Sequence, residues 1–160
     1  MTQIITVVGK SRSGKTTLIE KLIPEMKNRG YKVGSIKHAH HGFDIDREGK
    51  DSYRHRVAGA DTVVVASPGQ VAMVKRVEND SLDGATSFLG DMDLVLVEGY
   101  KRADRLKIEV FDKRSHTAPL GLNSDKMIAF VTDDAVDVSV PVFGTHQVRE
   151  LCDLIESNYL

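Results

Sequence analysis

An α/β fold with a mostly parallel, doubly wound sheet and helices on both faces is what these 160 residues predict. Three observations carry that expectation. Short β-prone or apolar runs alternate with segments of helical periodicity along the chain. Two of the runs, 93–97 (DLVLV) and 127–131 (MIAFV), are almost continuously apolar, as strands buried on both faces of a parallel sheet are. The third observation is the opening stretch. Ile4, Ile5, Val7 and Val8 lead into Gly9, and after four variable residues come Gly14, Lys15 and Thr16. This is the G-x-x-x-x-G-K-[ST] phosphate loop in a strand–loop–helix setting, because Leu18, Ile19, Leu22, Ile23 and Met26 follow at helical spacing.

The loop spacing has a mechanical reason. The backbone N–H groups of Lys10, Ser11, Arg12, Ser13, Gly14, Lys15 and Thr16, running on to Thr17, must point inward around a phosphate chain. A side chain at Gly9 or Gly14 obstructs that wrap. Lys15 then reaches the β/γ-phosphates, and the Thr16 hydroxyl takes a Mg²⁺ position. The expectation is a nucleotide phosphate bound with Mg²⁺ by one P-loop domain over residues 1–160.

Composition narrows the partners. A formal charge of −1 gives no electrostatic reason to bind nucleic acid or a membrane surface. The longest apolar runs hold four or five residues, far short of the roughly 18 that span a bilayer. The start, Met1-Thr2-Gln3, has neither a charged n-region nor an apolar h-region, so a cytoplasmic location is expected. Cys152 is the single cysteine and shares a helical face with Val148, Leu151, Ile155 and Tyr159, which marks it as core.

The elements follow in order. The first helix runs from the phosphate loop to a stop near Gly30, with Pro24 loosening a turn. Residues 32–37 (KVGSIK) read as a second strand that discharges into the polar stretch HAHHGFDIDREGK. A short helix at 51–60 stops at Gly59, and strands at 62–66 and 70–77 flank the turn Pro68-Gly69. A modest helix at 82–89 precedes DLVLV. The basic segment YKRADRLK leads to a strand at 108–111 (IEVF), MIAFV closes on Thr132-Asp133-Asp134, Pro141-Val142-Phe143 adds a stub, and 145–159 is the terminal helix. In such a sheet, ligands sit at the carboxyl ends of the strands, so motifs at those ends belong to one site.

A phosphate loop needs an acid to orient Mg²⁺, usually at the end of an apolar strand. Asp93 stands at the amino end of DLVLV, about 13 Å from the other end at roughly 3.3 Å per residue. Glu98 stands at the carboxyl end and is the expected metal acid, with the Gly99 N–H offered to a γ-phosphate. Three readings of HAHHGFDID stay open: a transition-metal site, a solvated loop with helix-capping acids, or a functional loop in which Asp44 or Asp46 supplements Mg²⁺ and the histidines meet an anionic substrate. The N-K-x-D guanine motif is absent. Asp133 and Asp134 follow MIAFV at the ligand end, where a carboxylate accepts from guanine N1–H and N2–H, and a turn or helix cap is the alternative reading.

The phosphate loop followed by TTLIEKLI, then KHAHHGFDID with GKDSYRHRVAGAD, then LVLVEGYK with KIEVF, together resemble the molybdopterin-guanine dinucleotide biosynthesis protein B (MobB) family over nearly the whole chain. The resemblance implies a GTP-binding P-loop protein with weak GTPase activity, usually dimeric. Such a protein assists the nucleotidyltransferase that joins GMP to a molybdopterin-type small molecule. It puts the stretch from Gly9 to Thr17 on the nucleotide and Lys15, Glu98 and Gly99 at the reacting end, with Thr16, Glu98 and Asp46 around Mg²⁺. It marks His38, His40, His41, Asp44, Asp46, Lys101, Lys107 and Glu109 as site-lining.

There are departures. Family members often carry an acidic pair where this chain has Thr145-His146. Lys10 stands where one branch of P-loop proteins has a lysine that reaches across a dimer, but the companion glycines are Ser11 and Arg12, so ordinary backbone wrapping is expected. A small-molecule kinase and a metallochaperone GTPase are the competing functions; no long Arg-rich lid supports the first. No water-orienting glutamine follows Gly99, so slow hydrolysis is expected of the isolated protein.

Overall fold

In chain order the elements are β1 (Gln3–Val8), α1 (Lys15–Asn28), β2 (Val33–Lys37), α2 (Asp51–Val57), β3 (Thr62–Ser67), β4 (Gln70–Lys75), α3 (Leu82–Thr86) with a 3₁₀ turn at Ser87–Leu89, β5 (Leu94–Glu98), β6 (Leu106–Val110), β7 (Met127–Val131), β8 (Val142–Phe143) and α4 (Val148–Tyr159). The computed structural model describes residues 2–39, 42–43, 45–122 and 124–160. They fall into two compact units, Met1–His38 with Leu82–Leu160, and Ala39–Ser81.

The first unit is a six-stranded sheet in the order β2-β5-β1-β6-β7-β8, with every pairing parallel. Alternation along the strands sends side chains to two faces. Ile5, Val7, Leu94, Leu96, Ile108 and Val110 pack with Leu18, Leu22 and Met26 of α1 and with Leu151, Cys152 and Ile155 of α4. Val95 and Val97 pack on the other face with Leu82 of α3, Leu89 and Met92. Gly34 of β2 makes room for that cover, since a Cβ there would come within 3.1 Å of both Leu89 and Met92. Cys152 is fully buried, and burial pushes its thiol up to about 12. No described helix is long and apolar enough to cross a membrane.

α1 is preceded by Gly14, whose φ of 97° places it in the left-handed region, and runs unbroken through Pro24, whose ring removes one hydrogen bond and leaves the helix continuous. It stops where expected: the Gly30 N–H donates to Lys27 O at φ 96°. Several expected boundaries move, among them those of β6, α4 and β4. β6 begins at Leu106 and ends at Val110, two residues earlier at its start than the apolar string suggested, because Lys107 is an interior strand residue. α4 starts at Val148, since Gly144 and Gln147 close a turn with two hydrogen bonds ahead of it. β4 ends at Lys75.

The second unit holds α2 and an antiparallel hairpin of β3 and β4, with Ser67 opposite Gln70 and Gly69 at φ 81° in the turn. α2 ends at Val57, and the N–H groups of Gly59 and Ala60 close it onto Arg56 O and His55 O. The hairpin buries Val63 and exposes Val64, Val65, Val71 and Met73 on both of its faces.

Candidate functional site

Parallel pairing brings the carboxyl ends of the strands together. Register sets Val7 beside Glu98, Lys37 beside Glu98 and Val8 beside Glu109, so the phosphate loop that follows β1 emerges next to the ends of β5 and β6. Three residues take positive φ in or beside the loop: Gly9 at 150°, Arg12 at 62° and Gly14 at 97°. At Gly9 the need for glycine is steric as well, because a Cβ would collide with the Val110 carbonyl and lie 2.6 Å from Ser13 Oγ. Lys15, Thr16 and Thr17 open α1. Their N–H groups are among those that a helix leaves without intrahelical partners, at its positive end, which makes an anion site.

Lys15 Nζ donates to Lys10 O at 2.6 Å, drawn back across the loop. Burial lowers the affinity of its ammonium for the proton, and Glu98 partly offsets this. Thr16 Oγ1 donates to Glu98 Oε2 at 2.8 Å, and Lys37 Nζ to Glu98 Oε1 at 2.9 Å. Burial pushes the Glu98 carboxyl up, but the hydrogen bonds from Lys37 and Thr16 overcome it and hold the group below its ordinary range. Adjacent hydroxyl and carboxylate oxygens beside a phosphate loop are the donor set Mg²⁺ takes, so Thr16 and Glu98 fit that ion. The Gly99 N–H, expected to face a γ-phosphate, donates instead to Val7 O at 3.1 Å. Gly99 is required for another reason: at φ 106°, a Cβ would approach His38 Cβ to 2.9 Å.

A cleft of about 470 Å³ opens from Ser13 and Gly14, lined by Thr17, Leu18 and Lys21 of α1, by Val110, Phe111, Asp112 and Arg114 after β6, and by Val131, Asp133, Asp134 and Thr145. Asp133 accepts from the Thr145 N–H at 2.8 Å and from its hydroxyl at 2.6 Å, and these bonds hold the carboxyl below its ordinary range. Asp134 Oδ2 accepts from the Lys113 N–H at 2.8 Å. Asp112 holds Arg114 through both carboxylate oxygens. The segment after Arg114 lies on the loop itself: Lys10 Nζ donates to Ala118 O at 2.8 Å, and His116 Nε2 is 2.5 Å from Ser11 O. Lys10 is therefore engaged by its own chain, alongside a wrapping backbone.

The other expected site residues divide. His38 caps β2, donates its N–H to Glu98 O and stacks on Tyr100 with centroids 4.1 Å apart. Lys101 is exposed in the turn after β5. Lys107 and Glu109, expected to line a substrate site, are interior at 5% and 1% exposure. Lys107 Nζ holds Ala103 O and Arg105 O, while Glu109 Oε1 accepts the Leu120 N–H. Both side chains are spent on fixing loops. Asp46 belongs to the second unit, where it accepts from Ser52 Oγ at 2.8 Å and faces Arg56 Nε at 3.9 Å. His40, His41 and Asp44 lie outside the described residues. Sequence reasoning missed Lys37, Phe111, Asp112, Arg114 and Thr145. Lys37 carried a usable signal, as the last residue of an apolar-flanked strand at the ligand end; the others sit in loops with no motif.

A family model described as molybdopterin guanine dinucleotide synthesis protein B matches residues 4–133. The molybdopterin-guanine dinucleotide biosynthesis adapter protein of Haemophilus influenzae is 36% identical over 159 residues, covering 96% of this chain and 88% of that one. Its Escherichia coli counterpart is 36% identical over 163 residues, covering 97% and 92%. Among solved structures, a crystal structure of molybdopterin-guanine biosynthesis protein B superposes with a TM-score of 0.78 at 33% identity over 96% of this chain and 97% of that one. Bacillus subtilis MobB gives 0.77 at 29% identity, covering 97% and 96%.

Proposed function

The chain belongs to the molybdopterin guanine dinucleotide synthesis protein B family, and from that premise we propose that it is a GTP-binding adapter of molybdopterin-guanine dinucleotide biosynthesis that hydrolyses GTP slowly on its own. The observation that carries the reading is continuity. Ser13, Gly14 and Thr17, which flank Lys15 and Thr16 in the phosphate loop, line a cleft of nucleoside size that is also walled by Phe111, Asp133 and Asp134. Lys15, now on Lys10 O, would turn to the β- and γ-phosphates, and Thr16 and Glu98 would hold Mg²⁺, which would supply neutralisation of the charge on those phosphates. Asp133, already oriented by Thr145, and Asp134, oriented by Lys113, present carboxylates to the N1–H and N2–H edge of guanine.

Slow turnover follows from the same inventory. Arg105 is paired with Asp83 and Arg114 with Asp112, and no motif aims Arg12, Arg47 or Arg102 at a γ-phosphate. An arginine in that place is worth about 10³–10⁵ in rate. The relatives are named as adapter proteins, and in this reading the missing part comes from a partner nucleotidyltransferase with its molybdopterin-type substrate. The exposed valines of the β3–β4 hairpin support a homodimer, since a lone two-stranded ribbon is marginal in water and open edges are normally covered. Phosphate release tests the reading. The isolated protein is expected to turn over GTP well below the roughly 1 s⁻¹ lower end of ordinary enzymes, with stimulation on adding the nucleotidyltransferase. Several turnovers per second without partner contradict it.

A further inference from the structure

We propose that Lys37 is a second cation for the terminal phosphate of the bound nucleotide, supplied in cis by the end of β2. The proposal rests on the nucleotide reading above and adds a residue to it. Register fixes Lys37 beside Glu98, and the His38 N–H to Glu98 O bond locks the two strand ends together. Glu98 then takes Thr16 Oγ1 on one oxygen at 2.8 Å and Lys37 Nζ on the other at 2.9 Å. The Lys37 ammonium is thus one carboxylate away from the hydroxyl that the phosphate loop places at the β- and γ-phosphates. Lys37 and the phosphate-loop residue Thr16 meet on one carboxylate beside the loop, and the anion that the Lys37 ammonium can take there is the end of a phosphate chain held by that loop.

Lys37 is free to move where Glu98 is not. Its side chain is 65% exposed against 16% for Glu98. An ammonium on a four-carbon stem carries three donors, so it can keep Glu98 on one and give another to a phosphate oxygen. A diphosphate has no γ-phosphate and offers no oxygen at that position. The contact therefore distinguishes tri- from diphosphate.

Calorimetric titration of GDP and of the non-hydrolysable β,γ-imido analogue of GTP into wild type, Lys37→Gln and Lys37→Arg, with Mg²⁺ and again with EDTA, tests this. Lys37→Gln is expected to lose roughly ten- to a hundredfold in affinity for the triphosphate analogue, the size of a charge-assisted hydrogen bond, with GDP affinity unchanged. Lys37→Arg should recover most of the loss, and the loss should persist in EDTA. Parallel losses for both nucleotides, no loss for either, or a loss that vanishes in EDTA overturns the proposal and leaves Lys37 as an anchor for Glu98. Failure of the wild type to bind either nucleotide takes down the nucleotide reading, and this proposal with it.

Discussion

Replacing Gly9 by alanine tests the link between the sheet and the phosphate loop. Gly9 has φ 150°, and a Cβ would strike the Val110 carbonyl and lie 2.6 Å from Ser13 Oγ. Ser13 is buried, and the Val110 carbonyl belongs to β6, which is paired to β7 at Val131, so neither neighbour yields easily. A side chain held in so sparsely populated a backbone region costs about 1–3 kcal/mol. Overpacking against a fixed backbone costs about 1–3 kcal/mol more, and the two together reach about 2–6 kcal/mol. Gly30→Ala is the matched control: φ is 96°, but nothing lies within 4 Å of the added Cβ. It is expected to cost only the left-handed penalty of about 1–2 kcal/mol. Urea unfolding of both variants gives the difference, and GTP titration gives its functional consequence. Gly9→Ala should be the less stable and should lose GTP binding, while Gly30→Ala retains it. Equal destabilisation, or wild-type GTP affinity in Gly9→Ala, refutes the steric argument.

Two further expectations follow from other parts of the molecule. Burial holds the Glu109 carboxyl above its ordinary value of 4.5, against the Leu120 hydrogen bond and the Lys10 charge. A raised carboxyl value means that the folded state holds the proton more tightly than the unfolded one. That contribution to stability is complete below the unfolded value and is lost as pH rises through the folded one. Relative to Glu109→Gln, the wild type should therefore lose unfolding free energy as pH rises above the ordinary carboxyl value, and a pH-independent difference contradicts this. At the hairpin, Val71 is 69% exposed. Sedimentation at micromolar concentration should give a two-chain species that Val71→Lys converts to a single chain, whereas a single-chain wild type removes the basis for the dimer.

Much of the fold was legible because its signals are local. The loop motif fixed the start of α1, the apolar strings at 94–97 and 127–131 are buried strands, and alternation of strands with helices implied parallel pairing. The site was legible only where a motif or a strand end marked it, as at Lys15, Thr16 and Glu98. Pairing partners are set by register between segments far apart in sequence, so the strand-end position of Lys37 was legible but its pairing with Glu98, 61 residues away, was not. Lys107 and Glu109 misled for a related reason. The family resemblance marked both as site-lining, yet both are interior here, with loop backbone groups meeting most of their polar atoms; Glu109 Oε2 has no partner among the described residues. Thr145, which orients Asp133, sits 12 residues from it in a turn that no pattern announces.

The most direct test of the account is a calorimetric titration of GTP, with ATP in parallel and Mg²⁺ present, into wild type and Lys15→Ala. Lys15 is the one side-chain cation the motif itself commits to the phosphates, and charge-assisted bonds of that kind are worth about 1.5–3 kcal/mol. The account predicts one GTP bound per chain, weaker ATP, and at least a roughly tenfold loss of GTP affinity in a Lys15→Ala protein that melts like the wild type. Unchanged GTP affinity in Lys15→Ala would contradict it.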